Sequence, residues 1–186
     1  MNKQQLLEKL KQKMAADSSL PLRETATNLV FGEGSPTPKI YFLGEAPGRF
    51  EDISGKPFVG QAGKLLEKML EAIGLTREEV YITSIVRYRP PQNRDPKTSE
   101  IEAFKPYIDK ELHIIQPKLI ATLGRFSLNK FLPKAKISQV HGVPHPIIFY
   151  GFNTIIFPLY HPAAALRRIQ LKITLVEDFK KLQNLL

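Results

Sequence analysis

The sequence predicts an α/β protein, a parallel sheet with helices on both faces, forming one domain over residues 1–186. Two observations carry this. Short apolar runs at Lys39–Leu43, Val80–Val86 and Lys118–Leu123 alternate with segments of helical period, the order from which parallel crossovers are built. Each apolar run also empties into a loop or a glycine, where α/β folds place their sites.

The elements follow in order. Residues 3–15 read as a helix with Leu6, Leu7, Leu10 and Met14 on one face, broken by Asp17–Pro21. Asn28–Phe31 reads as a short strand ended by Gly32, and Lys39–Leu43 as a buried strand feeding a long Gly/Pro loop over 44–63. Residues 60–73 place Leu65, Leu66, Met69, Leu70 and Ile73 on one helical face, with Gly74 at the C-cap. After Val80–Val86 comes a loop, Arg87–Lys97. Ser99 with Glu102 has capping-box spacing for a helix over 100–115, in which Pro106 predicts a late start or a bend. Lys118–Leu123 is a strand ended by Gly124, with a helix following through Leu132. Pro146–Tyr150 and Thr154–Leu159 suggest a hairpin around Gly151-Phe152, and the last helix covers 171–185.

Composition narrows the chemistry. With no cysteine in 186 residues, disulfides, thiolate zinc sites and cysteine-held clusters are excluded. No apolar run reaches bilayer length, and Met1–Gln5 lacks the apolar stretch of a signal peptide, so no membrane is expected as a partner and a cytoplasmic location is. The formal net charge is +9. Excess cation suits a polyanion, because phosphate contacts dominate nucleic-acid affinity. Arg87, Arg89 and Arg94 cluster in one segment and Arg167 and Arg168 in another, which favours nucleic acid over mere solubility.

The loop Gly44–Gly63 is no phosphate loop, since Gly63-Lys64 is followed by Leu65 rather than Ser or Thr, and no Gly-x-Gly-x-x-Gly is present. Its Glu45, at a strand end, is either a solvated loop carboxylate or a general base and cation stabiliser. Phe58 is either a core residue or a stacking platform for an extruded base. His161 also sits at a strand end. Pro162, Ala163-Ala164-Ala165 and then Leu166-Arg167-Arg168 follow it, an apolar tip flanked by arginines as a minor-groove wedge requires. His113, His141 and His145 share no ligand spacing with His161, so no metal is expected.

These residues resemble the family-four uracil-DNA glycosylases, which normally carry a four-iron four-sulfur cluster. The resemblance runs from Leu29 to Arg167 through blocks in the right order: Val30–Gly34, Gly44–Gly48, Pro57–Gly60 with Ala62-Gly63, Val80–Thr83, Arg89–Pro91 with Asn93-Arg94, and His161-Pro162 with Leu166-Arg167. It implies a three-layer α/β/α sandwich with a central, mostly parallel four-stranded sheet, and hydrolysis of the glycosidic bond of uracil in DNA. It further implies that Glu45 with the backbone through Ala46 and Gly48 lines the reacting sugar and base, that Phe58 stacks on the base, and that His161 donates to the base carbonyl. Leu166-Arg167 would enter the minor groove.

Three departures stand out. The family's cysteines are missing; two of them fall at Tyr88 and Phe104, and the other pair near Asp17 and Leu20, so no cofactor is expected and aromatic rings take up the cluster's space. Ser84 stands where the family reads the base edge with Asn. Pro91–Lys97 lacks the longer insert of the crosslinking relatives, so turnover is expected rather than covalent capture. The expected function is a monofunctional, monomeric glycosylase acting on uracil in DNA. Its rivals are a glycosylase for hypoxanthine or xanthine, a non-catalytic DNA-binding protein on the same fold, and a nucleotide- or protein-binding module. The water-activating carboxylate is Glu45 or Asp52.

Overall fold

The computed structural model describes residues 1–186. A six-stranded mixed sheet in the order β1-β3-β2-β4-β6-β5 forms its centre. The strands are β1 (Glu33–Gly34), β2 (Tyr41–Gly44), β3 (Tyr81–Ser84), β4 (Leu119–Leu123), β5 (His145–Phe149) and β6 (Phe152–Leu159). β3, β2, β4 and β6 are mutually parallel, the four-stranded centre expected from sequence. β1 and β5 add antiparallel edges, the latter through the predicted hairpin.

Alternate strand residues feed opposite faces. Ile40, Phe42, Ala121 and Phe157 enter one core, beneath α3 (Gln61–Ala72), α7 (Pro162–Arg167) and α8 (Ile169–Gln183). Tyr41, Leu43, Ile120 and Ile156 enter the other, beneath α1 (Lys3–Ala16) and α4 (Thr98–Ile115). Burial of both faces is why β2, β3 and β4 are covered at every position and read as mainly apolar runs. Two helical layers around one sheet make the three-layer α/β/α sandwich.

Several local expectations are corrected. Asn28–Phe31 forms no strand; Val30 N–H donates to the Arg87 carbonyl, and the edge strand is Glu33–Gly34. The segment 44–63 is not one long loop, because Arg49–Ser54 forms α2, ended by Gly55 in the left-handed region at φ 71°. Helix α4 neither starts late nor starts at a Ser99 box. Glu100 reaches back to the Lys97 N–H at 2.7 Å and Pro106 lies inside the helix. Two short helices, α5 (Arg125–Phe131) and α6 (Ile137–Val140), complete the chain.

Arg87 is no surface cation. Its guanidinium and the Glu111 carboxylate are both wholly buried, 2.7 Å apart, and Glu111 also accepts from the hydroxyls of Tyr41 at 2.5 Å and Tyr81 at 3.0 Å. A buried cation survives only when paired, so Arg87 belongs to the interior and contributes nothing to a DNA-facing surface.

Candidate active site

The four parallel strands end level with one another. Gly44 lies beside Ser84, and Leu123 beside Leu159. The switch point of the sheet lies between β2 and β4, since the chain runs from β2 to β3 on one side and then crosses over to β4 on the other. A crevice at such a point, outside the carboxyl ends of the strands, is where open α/β sheets bind ligands. Here it is a cavity of about 450 Å³, within the range of small-molecule sites. Glu45, Ala46, Gly48, Phe58, Ser84, Arg94, His161 and Arg167 all line it.

Glu45 follows β2 directly, and its carbonyl is held by the Val86 N–H at 3.0 Å. Burial, and then the nearby Asp95 carboxylate, push its acid up from 4.5 to about 7, against the opposing pull of Arg125. Its side chain therefore titrates near neutrality, where a general base is most useful. Asp52 is no rival. It is buried, and it accepts from the backbone N–H groups of Thr27 at 2.8 Å and Asn28 at 3.2 Å. That carboxylate pins a loop and does not line the cavity.

Phe58 and His161 face each other, ring centroids 5.7 Å apart. Two glycines make room for this pair. A Cβ on Gly44 would lie 2.6 Å from the tip of the Phe58 ring, and one on Gly124, where φ is 91°, would lie 3.2 Å from the His161 Cβ. His161 caps α7: its Nδ1 accepts from the Ala163 N–H at 3.1 Å. The ring proton of the neutral imidazole therefore sits on Nε2. Burial pushes His161 down to about 4, so the ring is a neutral donor at physiological pH.

Glu51, which sequence reading passed over, clamps the rim. Its carboxylate accepts from the N–H groups of Gly48 at 3.1 Å, Val59 at 2.9 Å and Gly60 at 2.8 Å. It ties the strand-end turn to the Phe58 loop. Its capping-box spacing from Gly48 was the available signal. One consequence is that Gly48 lines the cavity with its N–H already engaged, so it offers shape rather than a donor. Asp95 and Arg125, joined as an ion pair, were also missed; nothing in their sequence positions relates them to Glu45.

The remaining predicted residues divide. Ser84 is buried at the end of β3, and its Oγ is 3.4 Å from where a Gly44 Cβ would stand. Arg94 lines the cavity but is bidentate to Glu100, at 2.9 and 2.6 Å, so its charge is largely neutralised there. Arg89 lies off the cavity and bonds Asn93 Oδ1 at 2.7 Å. Leu166 is 47% exposed at the end of α7, off the cavity and next to exposed Arg167 and Arg168.

The sequence comparisons give the family. The family model described as the uracil DNA glycosylase superfamily matches residues 31–183. The chain belongs to this superfamily. It is 46% identical over 185 residues to a type-4 uracil-DNA glycosylase of Sulfurisphaera tokodaii, covering 96% of this chain and 84% of that protein. To the type-4 enzyme of Archaeoglobus fulgidus it is 46% identical over 169 residues, 88% and 85% of the two chains. To that of Thermotoga maritima it is 36% identical over 184 residues, 98% and 95%.

The iron–sulfur cluster that the family-four resemblance implies does not fit these residues. Cluster ligation needs thiolates, and the chain has none. Tyr88 and Phe104 are buried with ring centroids 6.1 Å apart, in one apolar cluster with Leu20 and Tyr107. The Tyr107 hydroxyl donates to Asp17 at 2.5 Å.

Proposed function

We propose that the protein hydrolyses the N-glycosidic bond of uracil in DNA, as a monofunctional glycosylase that starts base excision. One observation supports this above the rest: a carboxylate poised near neutrality, an aromatic face and a neutral imidazole donor converge on one cavity. DNA binding alone requires none of the three, which disfavours a non-catalytic role.

The chemistry follows from the residues. The target nucleotide leaves the stack at a cost of roughly a few kcal/mol, which a pocket with an aromatic face offsets. Phe58 supplies that face, and Ser84 with the Ala46–Gly48 turn borders the base edge. As the C1′–N1 bond breaks, its electron pair leaves with the base and C1′ becomes cationic. His161 Nε2–H donates to the base carbonyl on which the negative charge gathers. A fixed donor of this kind contributes about 10²–10³ in rate. The Glu45 carboxylate stabilises C1′ and takes a proton from the water that adds there.

Arg167, Arg168 and Arg89 contact phosphates in this reading, Arg94 borders the cavity, and Leu166 fills the gap left in the duplex. No helix is long and apolar enough to cross a membrane. The reading has the whole chain act as one domain and as a monomer, on DNA inside the cell. An excision assay on duplex and single-stranded DNA carrying uracil, hypoxanthine or xanthine tests it. Release of uracil is expected, and no release from any substrate overturns it.

A further inference from the structure

Phe58 holds a left-handed backbone, φ 52°. A bulky residue keeps such a conformation only where its surroundings over-determine it. The bare backbone of Gly63 packs close on one side, since a Cβ there would meet the Phe58 carbonyl oxygen at 1.9 Å. Gly44 leaves room for the ring on another. The third constraint comes from outside the cavity.

Arg77 stands in the short 3-10 turn Arg77–Glu79, ahead of β3. Its Nη1 donates to the Phe58 carbonyl at 3.0 Å, and its Nη2 donates to the Pro57 carbonyl. Glu67 lies 3.1 Å from the guanidinium and Glu33 3.9 Å, and only 19% of the arginine side chain is exposed. A planar fork can grip two successive carbonyls at once; an ammonium acts as a single point of charge. Arg77 does not line the cavity.

We propose that Arg77 is a positioning residue for base recognition: it fixes the carbonyls of Pro57 and Phe58 and thereby holds the Phe58 ring opposite His161. The inference rests on the assignment of Phe58 as the stacking face. Arg77 acts through that ring, so its catalytic effect vanishes when the ring is gone, whereas its contribution to the fold does not.

Two measurements on the full chain test this. The first is single-turnover uracil excision in a cycle of Arg77→Gln, Phe58→Ala and the double variant, with thermal unfolding alongside. Arg77→Gln is expected to slow excision about 10-fold to 10²-fold in the wild-type background, as a displaced positioning group does. In the Phe58→Ala background it should change the rate less than twofold while lowering the melting temperature as before. Equal losses of rate in both backgrounds overturn the proposal and make Arg77 merely structural. The second is the fluorine spectrum of protein labelled with 4-fluorophenylalanine, in which Phe58→Ala identifies the Phe58 line among those of 11 phenylalanines. Arg77→Gln should shift or broaden that line and leave the core lines in place; an unmoved line overturns the proposal. Arg77→Lys, which keeps the charge, should show smaller changes of the same kind and serves if the glutamine variant does not fold. Were the wild type to excise no uracil, the functional reading would fall, while the fluorine spectrum would still decide whether Arg77 places the ring.

Discussion

Replacing Glu45 with glutamine removes a charge and almost no volume, so it separates what the carboxylate costs the fold from what it does in the reaction. The folded protein holds this acid at about 7 rather than 4.5, chiefly by burial. A carboxyl whose value is raised by folding binds its proton more tightly in the native state. The wild type therefore loses stability as pH rises from 4.5 towards 7, carries the full cost above 7, and carries none below 4.5. Each pH unit of displacement is worth about 1.4 kcal/mol. Discounted for the solvent that reaches this partly exposed group, the cost is on the order of 2 kcal/mol at pH 8. Urea unfolding should accordingly find Glu45→Gln more stable than wild type by about that amount at pH 8, with the advantage shrinking to nothing at pH 4. Single-turnover excision should move the other way, falling about 10²- to 10⁴-fold at pH 8. The wild-type rate should climb with pH to a plateau above about 7, while the variant's stays flat from pH 5 to 8. His161, neutral above about 4, adds no limb in that window. A glutamine variant that is less stable at pH 8, or whose stability difference ignores pH, would refute the reasoning, because the carboxylate would then be serving the fold.

Four further outcomes are expected. His161→Ala should slow single-turnover excision about 10²–10³-fold with lesion-DNA affinity little changed; equal losses in both would make it a structural cap of α7. Leu166→Ala should impair excision from duplex more than from single strands, and Arg167→Ala or Arg168→Ala should weaken binding while flattening its salt dependence. A duplex rate indifferent to Leu166→Ala would move the wedge elsewhere. Ser84→Asn should raise uracil excision relative to hypoxanthine and xanthine, because an amide offers a fixed donor and acceptor side by side where a hydroxyl has one rotating proton; if Ser84→Ala leaves rate and preference unchanged, the hydroxyl reads nothing. Phe104→Ala, at a fully buried ring, should destabilise by about 3–5 kcal/mol on denaturant unfolding, and a loss within error would mean that the ring does not pack the core.

The sequence by itself determined the parallel centre of the sheet, because strands buried on both faces are mainly apolar and helices covering them must be apolar on one side. It also determined the absence of a thiolate cluster, and it marked Glu45, Phe58 and His161 as candidates through their places near strand ends and through the family-four resemblance. What it left open were pairings between residues far apart in the chain. Arg87 reads as one more loop cation until Glu111, 24 positions away, is seen beside it inside the protein. Asp52 and Glu45 are equivalent loop carboxylates until the amides of Thr27 and Asn28 claim the first. The weakened acidity of Glu45 comes from burial and from Asp95, which only the folding of loop 90–97 over the strand ends brings near. Local pattern carries the period and the caps of each element. Desolvation and charge pairing depend on three-dimensional neighbours, and the tertiary structure alone decides those.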